Sequence, residues 1–138
     1  MSDWVMDLAR HANTQFDWLK MQSEGAGANL FVNDLPDSPD AAVGFFRYGG
    51  EAPDELFGNP IVKRNPRMQA LIREPWSEVS IDKAEQLMKF LGVITEQQIG
   101  DTYFHLVRPV GELTELGPDS ARRERATVNF RVEIRGAG

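Results

Sequence analysis

The last third of the chain, Asp101 to Ile134, constrains the fold most. DTYFHLVRP is followed by VGELTELGPDSARRER and then by ATVNFRVEI, in which Ala126, Val128, Phe130, Val132 and Ile134 alternate strictly with polar neighbours. A period of two marks a strand with one buried face, and two such runs in succession predict a β-hairpin. The connector of sixteen residues is far longer than the roughly two to five usual for a hairpin. It carries Leu116, Gly117, Asp119 and three arginines, and connectors of that length are commonly functional.

Upstream, Val5, Leu8, Ala12, Phe16 and Leu19 recur at steps of three and four, predicting an amphipathic helix over 3–22 with Ser2 as its N-cap and Ser23 to Gly27 as its end. Trp4 and Trp18 flank that stripe. Two β-like runs, at about 28–33 and 41–48, enclose a turn rich in Asp, Pro and Asn and should be neighbouring strands. Paired glycines with Pro53, Pro60 and Pro66 then break the pattern, so Gly49 to Pro66 reads as a long irregular excursion, an arm or a crossover. A strand at 67–74 follows, and Ile81, Ala84, Leu87, Met88 and Leu91 place a second helix at 77–91 behind Ser77, with Gly92 as its stop. Strands at 101–109 and 126–135 complete the set. The expected architecture is one α+β domain over 1–138: a mostly antiparallel mixed sheet of about five strands with both helices on one face, since each helix has a single apolar stripe.

Composition excludes several functions. The chain of 138 residues has no cysteine, and its two histidines cannot build a conventional zinc site. No apolar run approaches membrane-spanning length, and MSDWVMDLARHA is acidic where a signal peptide needs a basic start, so a soluble protein is expected. The net charge of −6 opposes stable nucleic-acid binding. Charge is also unevenly distributed. Asp34 to Leu56 sets six carboxylates against Arg47, a net of −5, whereas Ala121 to Gly138 sets five arginines against two glutamates, a net of +3. Either these are solvated loops, or they pair head to tail between copies. The second reading nominates Asp37, Asp40, Glu51, Asp54 and Glu55 with Arg122, Arg123 and Arg125 as contact residues.

The search for chemistry yields little. GGEAPDELFG lacks the GxxxxGK[ST] pattern of a phosphate-binding loop, and adjacent Asp54 and Glu55 sit where nothing fixes a catalytic separation. His105 is expected in the core with Tyr103 and Val107 on its side of the strand, and His11 in helix packing. No catalytic residue, cofactor or metal is assigned. An enzyme would have to use Asp101, His105 and Asp119, and a ligand-binding domain the Trp4 and Trp18 flank.

In order, NLFVNDLPDSPDAAVGFFRYGG, RMQALIRE before a helix, GDTYFHLVRP and ELGPDSARRERATVNFRVEI resemble the tail terminator family of long-tailed bacteriophages, often called minor capsid proteins. The shared succession is a strand ending in Leu-Pro-Asp, Gly-Gly after the second strand, an arginine closing the third, and Leu-Gly-x-Asp ahead of the last. NPIVKRNPR departs from the pattern by being longer and more basic, and Arg122-Arg123 stands where Asn-Gly-Arg is more typical. The resemblance implies a homohexameric ring at the head-proximal end of the virion's tail, assembled in the host cytoplasm. That ring would cap the tail tube protein, end its polymerisation, join the head connector or stopper, and meet DNA only as it passes through the lumen. Another connector or stopper ring would share these features.

Overall fold

The computed structural model describes residues 3–21, 25–55 and 61–136, apart from the side chains of Glu55, Ile61 and Val62. In chain order these form α1 (Trp4–Gln15), β1 (Leu30–Val32), β2 (Ala42–Glu55), β3 (Ile61–Glu74), α2 (Ser77–Leu91), β4 (Thr95–Ile99), β5 (Thr102–Pro109), β6 (Thr114–Pro118) and β7 (Glu124–Arg135). One curled sheet runs β1-β2-β3-β7-β5-β4, and β6 pairs with β7 end to end with β5. Only β1 and β2 are parallel. The α+β class and the β5/β7 hairpin stand as expected, but the sheet has seven strands rather than about five.

The two extra strands lack the alternation that reveals a half-buried strand. TEQQI in β4 buries only Ile99, and TELGP in β6 buries no side chain fully, so their pairing comes from neighbours rather than from an apolar face. Of the stretch expected to be irregular, 49–55 and 61–66 are instead paired strand in the outer part of a long β2/β3 hairpin, and 56–60 lie outside the described residues. Its punctuation survives as bulges: the register shifts between Arg47 and Gly50 and again between Glu51 and Asp54. Gly50 has φ +129, and a Cβ there would lie 2.2 Å from the Asn65 carbonyl oxygen, so only glycine admits this close crossing of strands.

Helix α1 ends at Gln15, well short of residue 22. Phe16 turns into an extended conformation and packs against Trp18 and Phe90. The chain beyond is locked by Asn29, whose side chain accepts from the Lys20 N–H at 2.7 Å and donates to the Trp18 carbonyl at 2.7 Å. The cap is Asp3, which accepts from the Val5 N–H at 3.0 Å; Ser2 and residues 22–24 lie outside the described part. Helix α2 has the expected bounds, although Trp76 rather than Ser77 occupies its N-cap and gives it no side-chain cap.

Val43, Phe45, Met68, Ala70, Ile72, Val128 and Phe130 form one face of the sheet, against which Val5 and Leu8 of α1 and Ala84, Leu87 and Leu91 of α2 are buried. The helices also meet each other through the His11 and Phe90 rings, stacked 4.8 Å apart. Because α1 touches β1 and β2 near one edge and β4 at the other, the sheet curls around it. Buried Asp7 secures the far contact, accepting from the Thr102 hydroxyl at 2.6 Å beside Gly100.

Candidate assembly surfaces

Parallel neighbours joined directly need a crossover, ordinarily of a dozen residues or more. Between Val32 and Ala42 the chain has only nine residues, 33–41, and it folds back over the sheet face opposite the helices. A Cβ at Gly44 would lie 2.7 Å from the Asp34 carbonyl oxygen, which shows how closely the loop covers β2. So short a loop leaves its carbonyls without ladder partners, and two guanidinium groups supply them. Arg73 at the end of β3 donates to Asp40 O at 3.0 Å, Pro36 O at 2.7 Å and Pro39 O at 2.6 Å. Arg123 donates to the Asp37 carbonyl, and its side chain pairs with Asp37 at 2.8 Å, Asp40 at 3.5 Å and Asp119 at 2.9 Å. Burial lowers the Arg73 pKa from its ordinary value, helped by the charge of Arg123, whereas bonding to Asp119 and Asp37 raises that of Arg123.

This knot gathers residues far apart in sequence. Pro36, Asp37, Arg73 and Asp119 all belong to the motifs whose order the chain shares with tail terminators, and here they meet to hold one loop. Asp37, Asp40 and Arg123 thus pair inside the chain, although Asp37 and Asp40 remain 97% and 73% exposed at their side chains. Glu51 pairs with Arg67 at 2.9 Å and Asp54 with Lys63 at 3.2 Å, both along the β2/β3 hairpin. Glu55 ends β2, with its side chain outside the described part. Arg125 donates weakly to Gly117 O at 3.4 Å, and exposed Arg122 has φ 63 at the β6/β7 turn.

That turn has a titratable clasp. Asp119 accepts from the N–H groups of Arg123 and Ala121, both at 2.9 Å, and from Arg123 Nε at 2.9 Å. Its pKa is lowered from 3.8 to about 2, first by the Arg123 N–H. Since the folded value lies below the ordinary one, the clasp contributes fully above about pH 4 and is lost as pH falls through its folded pKa. A carboxyl titration by NMR should therefore place the Asp119 midpoint near 2, with amide protection at Ala121 and Arg123 falling in the same window. A midpoint at the ordinary value would refute the clasp.

His105 corrects an expectation. A bulge between Phe104 and Leu106 sends both Phe104 and Val107 into the core and leaves His105 on the opposite face beside Tyr103. Its Nδ1 lies 3.3 Å from Glu96, which also accepts from the Tyr103 hydroxyl at 2.7 Å. Asp101, His105 and Asp119 are not brought together, because Asp101 precedes β5 at one end of β7 and Asp119 sits in the turn at the other. The two tryptophans also part company. Trp18 donates to Gln86 at 3.2 Å and is capped by Lys83, while Trp4 lies under Arg47. Among the described residues no cluster of three or more metal-binding side chains occurs, and no helix is long and apolar enough to cross a membrane.

What remains is a scaffold whose polar groups hold loops and arms in place. The family described as bacteriophage tail terminator protein matches residues 11–135, nearly the whole chain, and the chain belongs to it. It is therefore a structural protein of the phage tail and a component of the virion, associating with other tail components. No curated protein matches the chain.

Proposed function

We propose that the chain forms a hexameric ring that caps the tail tube, ends its polymerisation and joins the tail to the head connector. The observation that carries this reading, beyond family membership, is the far end of the β2/β3 hairpin, beyond its pairing with β7. Among the described residues past Lys63, the ladder continues only at Ile61 opposite Glu55, with no β7 residue paired beside it. A two-stranded ribbon without a sheet to lie on gains little by itself and is suited to reach a partner. The β6/β7 turn offers a second contact surface, since it is fixed by Asp119 yet leaves Arg122 exposed.

Polymer arrest requires no catalysis: one face binds the last tube ring and the other cannot accept another. Six copies at −6 each would also give an acidic assembly in which DNA phosphates are repelled by the wall, so the genome slides without sticking. Light scattering on the purified protein, alone and with tail-tube protein, should give six times 15.5 kDa in at least one condition. Added to polymerising tube protein, the chain should shorten the tubes. A strict monomer that ignores the tube protein would sink the reading, and a ring that binds the connector but not the tube would make it a stopper instead.

A further inference from the structure

Away from the knot of Arg73 and Arg123, three further arginines gather at the other end of the sheet. There an open cleft of about 350 Å³ is lined by Arg47, Arg64, Asp101, Tyr103 and Arg135, with Trp4 at its wall. Three guanidinium groups thus face one lining carboxylate. Arg47 is spoken for by Asp3 at 2.7 Å, but the guanidinium groups of Arg64 and Arg135 make no hydrogen bond or ion pair among the described residues. Arg135 lies over the Tyr103 ring at 4.2 Å, and its charge also acts on Glu96. A cleft that pairs free guanidinium groups with aromatic faces is built for a carboxylate-bearing partner carrying an aromatic knob.

The chain carries such a feature at its opposite end. Trp76, which precedes α2, is 68% exposed, an unusual position for the largest apolar side chain. Behind it Glu78, Asp82 and Glu85 are all exposed at spacings of four and three, which makes one acidic ridge along α2. β7 runs from beside Glu74 to beside Lys63, so ridge head and cleft are separated by most of that strand, roughly 36 Å at about 3.3 Å per residue. Two complementary patches on opposite ends of one subunit define a heterologous contact, the kind that closes rings. Tryptophan, tyrosine and arginine are also the residues that most often dominate interface energetics.

We propose that Trp76 and the acidic ridge of one copy seat in the Arg47, Arg64 and Arg135 cleft of the next. This rests on the ring reading and gives it an interface. It differs from the head-to-tail pairing of Asp34 to Leu56 with Ala121 to Gly138, of which Asp37, Asp40 and Arg123 also pair within the chain.

The test uses two double variants of surface residues, each first checked for unchanged circular dichroism. Trp76→Ala with Glu78→Arg removes the knob, and Arg64→Glu with Arg135→Glu removes the cleft. Under whichever condition wild type assembles, each double variant alone should assemble at least about tenfold less. Mixed in equal amounts they should form a two-chain species and nothing larger, because each retains the half the other lacks. Either double variant assembling like wild type, or a mixture that stays as single chains while wild type forms rings, overturns the interface and leaves the ring standing. Wild type that assembles in no condition removes both. A short DNA duplex retained by wild type and released by R64E/R135E, with assembly unchanged, would reassign the cleft to nucleic acid.

Discussion

Arg73→Ala is expected to lower the melting temperature by roughly 10 °C. The guanidinium is almost fully buried and satisfies three carbonyls of the 33–41 crossover. Each acceptor left without a donor costs about 1–3 kcal/mol when water cannot replace it, and water reaches part of this exposed loop, so about 3 kcal/mol is the expected total. For a chain of 138 residues each kcal/mol corresponds to about 3–4 °C. Lysine should recover less than half of the loss, because one ammonium cannot span three carbonyls held by a planar fork. Hydrogen exchange should localise the change to the crossover and to β1. A variant melting within about 2 °C of wild type would mean that the loop holds itself, and that the motif residues gathered around Arg73 serve something other than the fold.

The sequence displayed the buried faces and hid the exposed ones. Helix α2 and strand β7 were legible because Ala84, Leu87 and Leu91, and Val128, Phe130 and Val132, repeat with the periods of their elements against a single core. β4 and β6 were invisible for the converse reason: TEQQI and TELGP carry no apolar alternation, and their pairing is decided by β5 and β7. The described parts of the β2/β3 hairpin were hidden because proline and glycine usually end strands, whereas here Gly49 and Pro53 lie within register shifts and Gly50 stands opposite Pro66. His105 was misplaced by one extra residue in β5, since a bulge reverses side-chain alternation without leaving a mark in the hydrophobic pattern. The charged residues were countable, but not their partners. Arg123 reaches Asp37 across 86 positions, a pairing that only the crossover explains. For the cleft the one available signal was the unusual basicity of NPIVKRNPR, which supplies Arg64, while its neighbours Trp4, Tyr103 and Arg135 come from three other segments.

Gly50→Val should separate folding from assembly. At φ +129 a valine is strained by about 1–3 kcal/mol. Its Cβ would also lie 2.2 Å from Asn65 O and 2.7 Å from Pro66 Cα, backbone atoms that cannot rotate away. The strands must therefore part at this crossing. The damage should stay local, because on the core side of Arg47 β3 is held by β7 and by α2, whereas beyond the crossing the described part of β3 keeps only the Lys63 and Arg64 pairs with β7. Melting should fall by only a few degrees and protease sensitivity should rise between Gly49 and Lys63, while capping of tail tubes drops at least about tenfold. Gly49→Asn provides the control: φ there is +44 and a Cβ meets nothing within 4 Å, so asparagine, which tolerates this conformation, should cap normally. A Gly50→Val protein with a displaced hairpin that still stops tube growth as wild type does would remove the hairpin from the contact and move the search to the β6/β7 turn and Arg122.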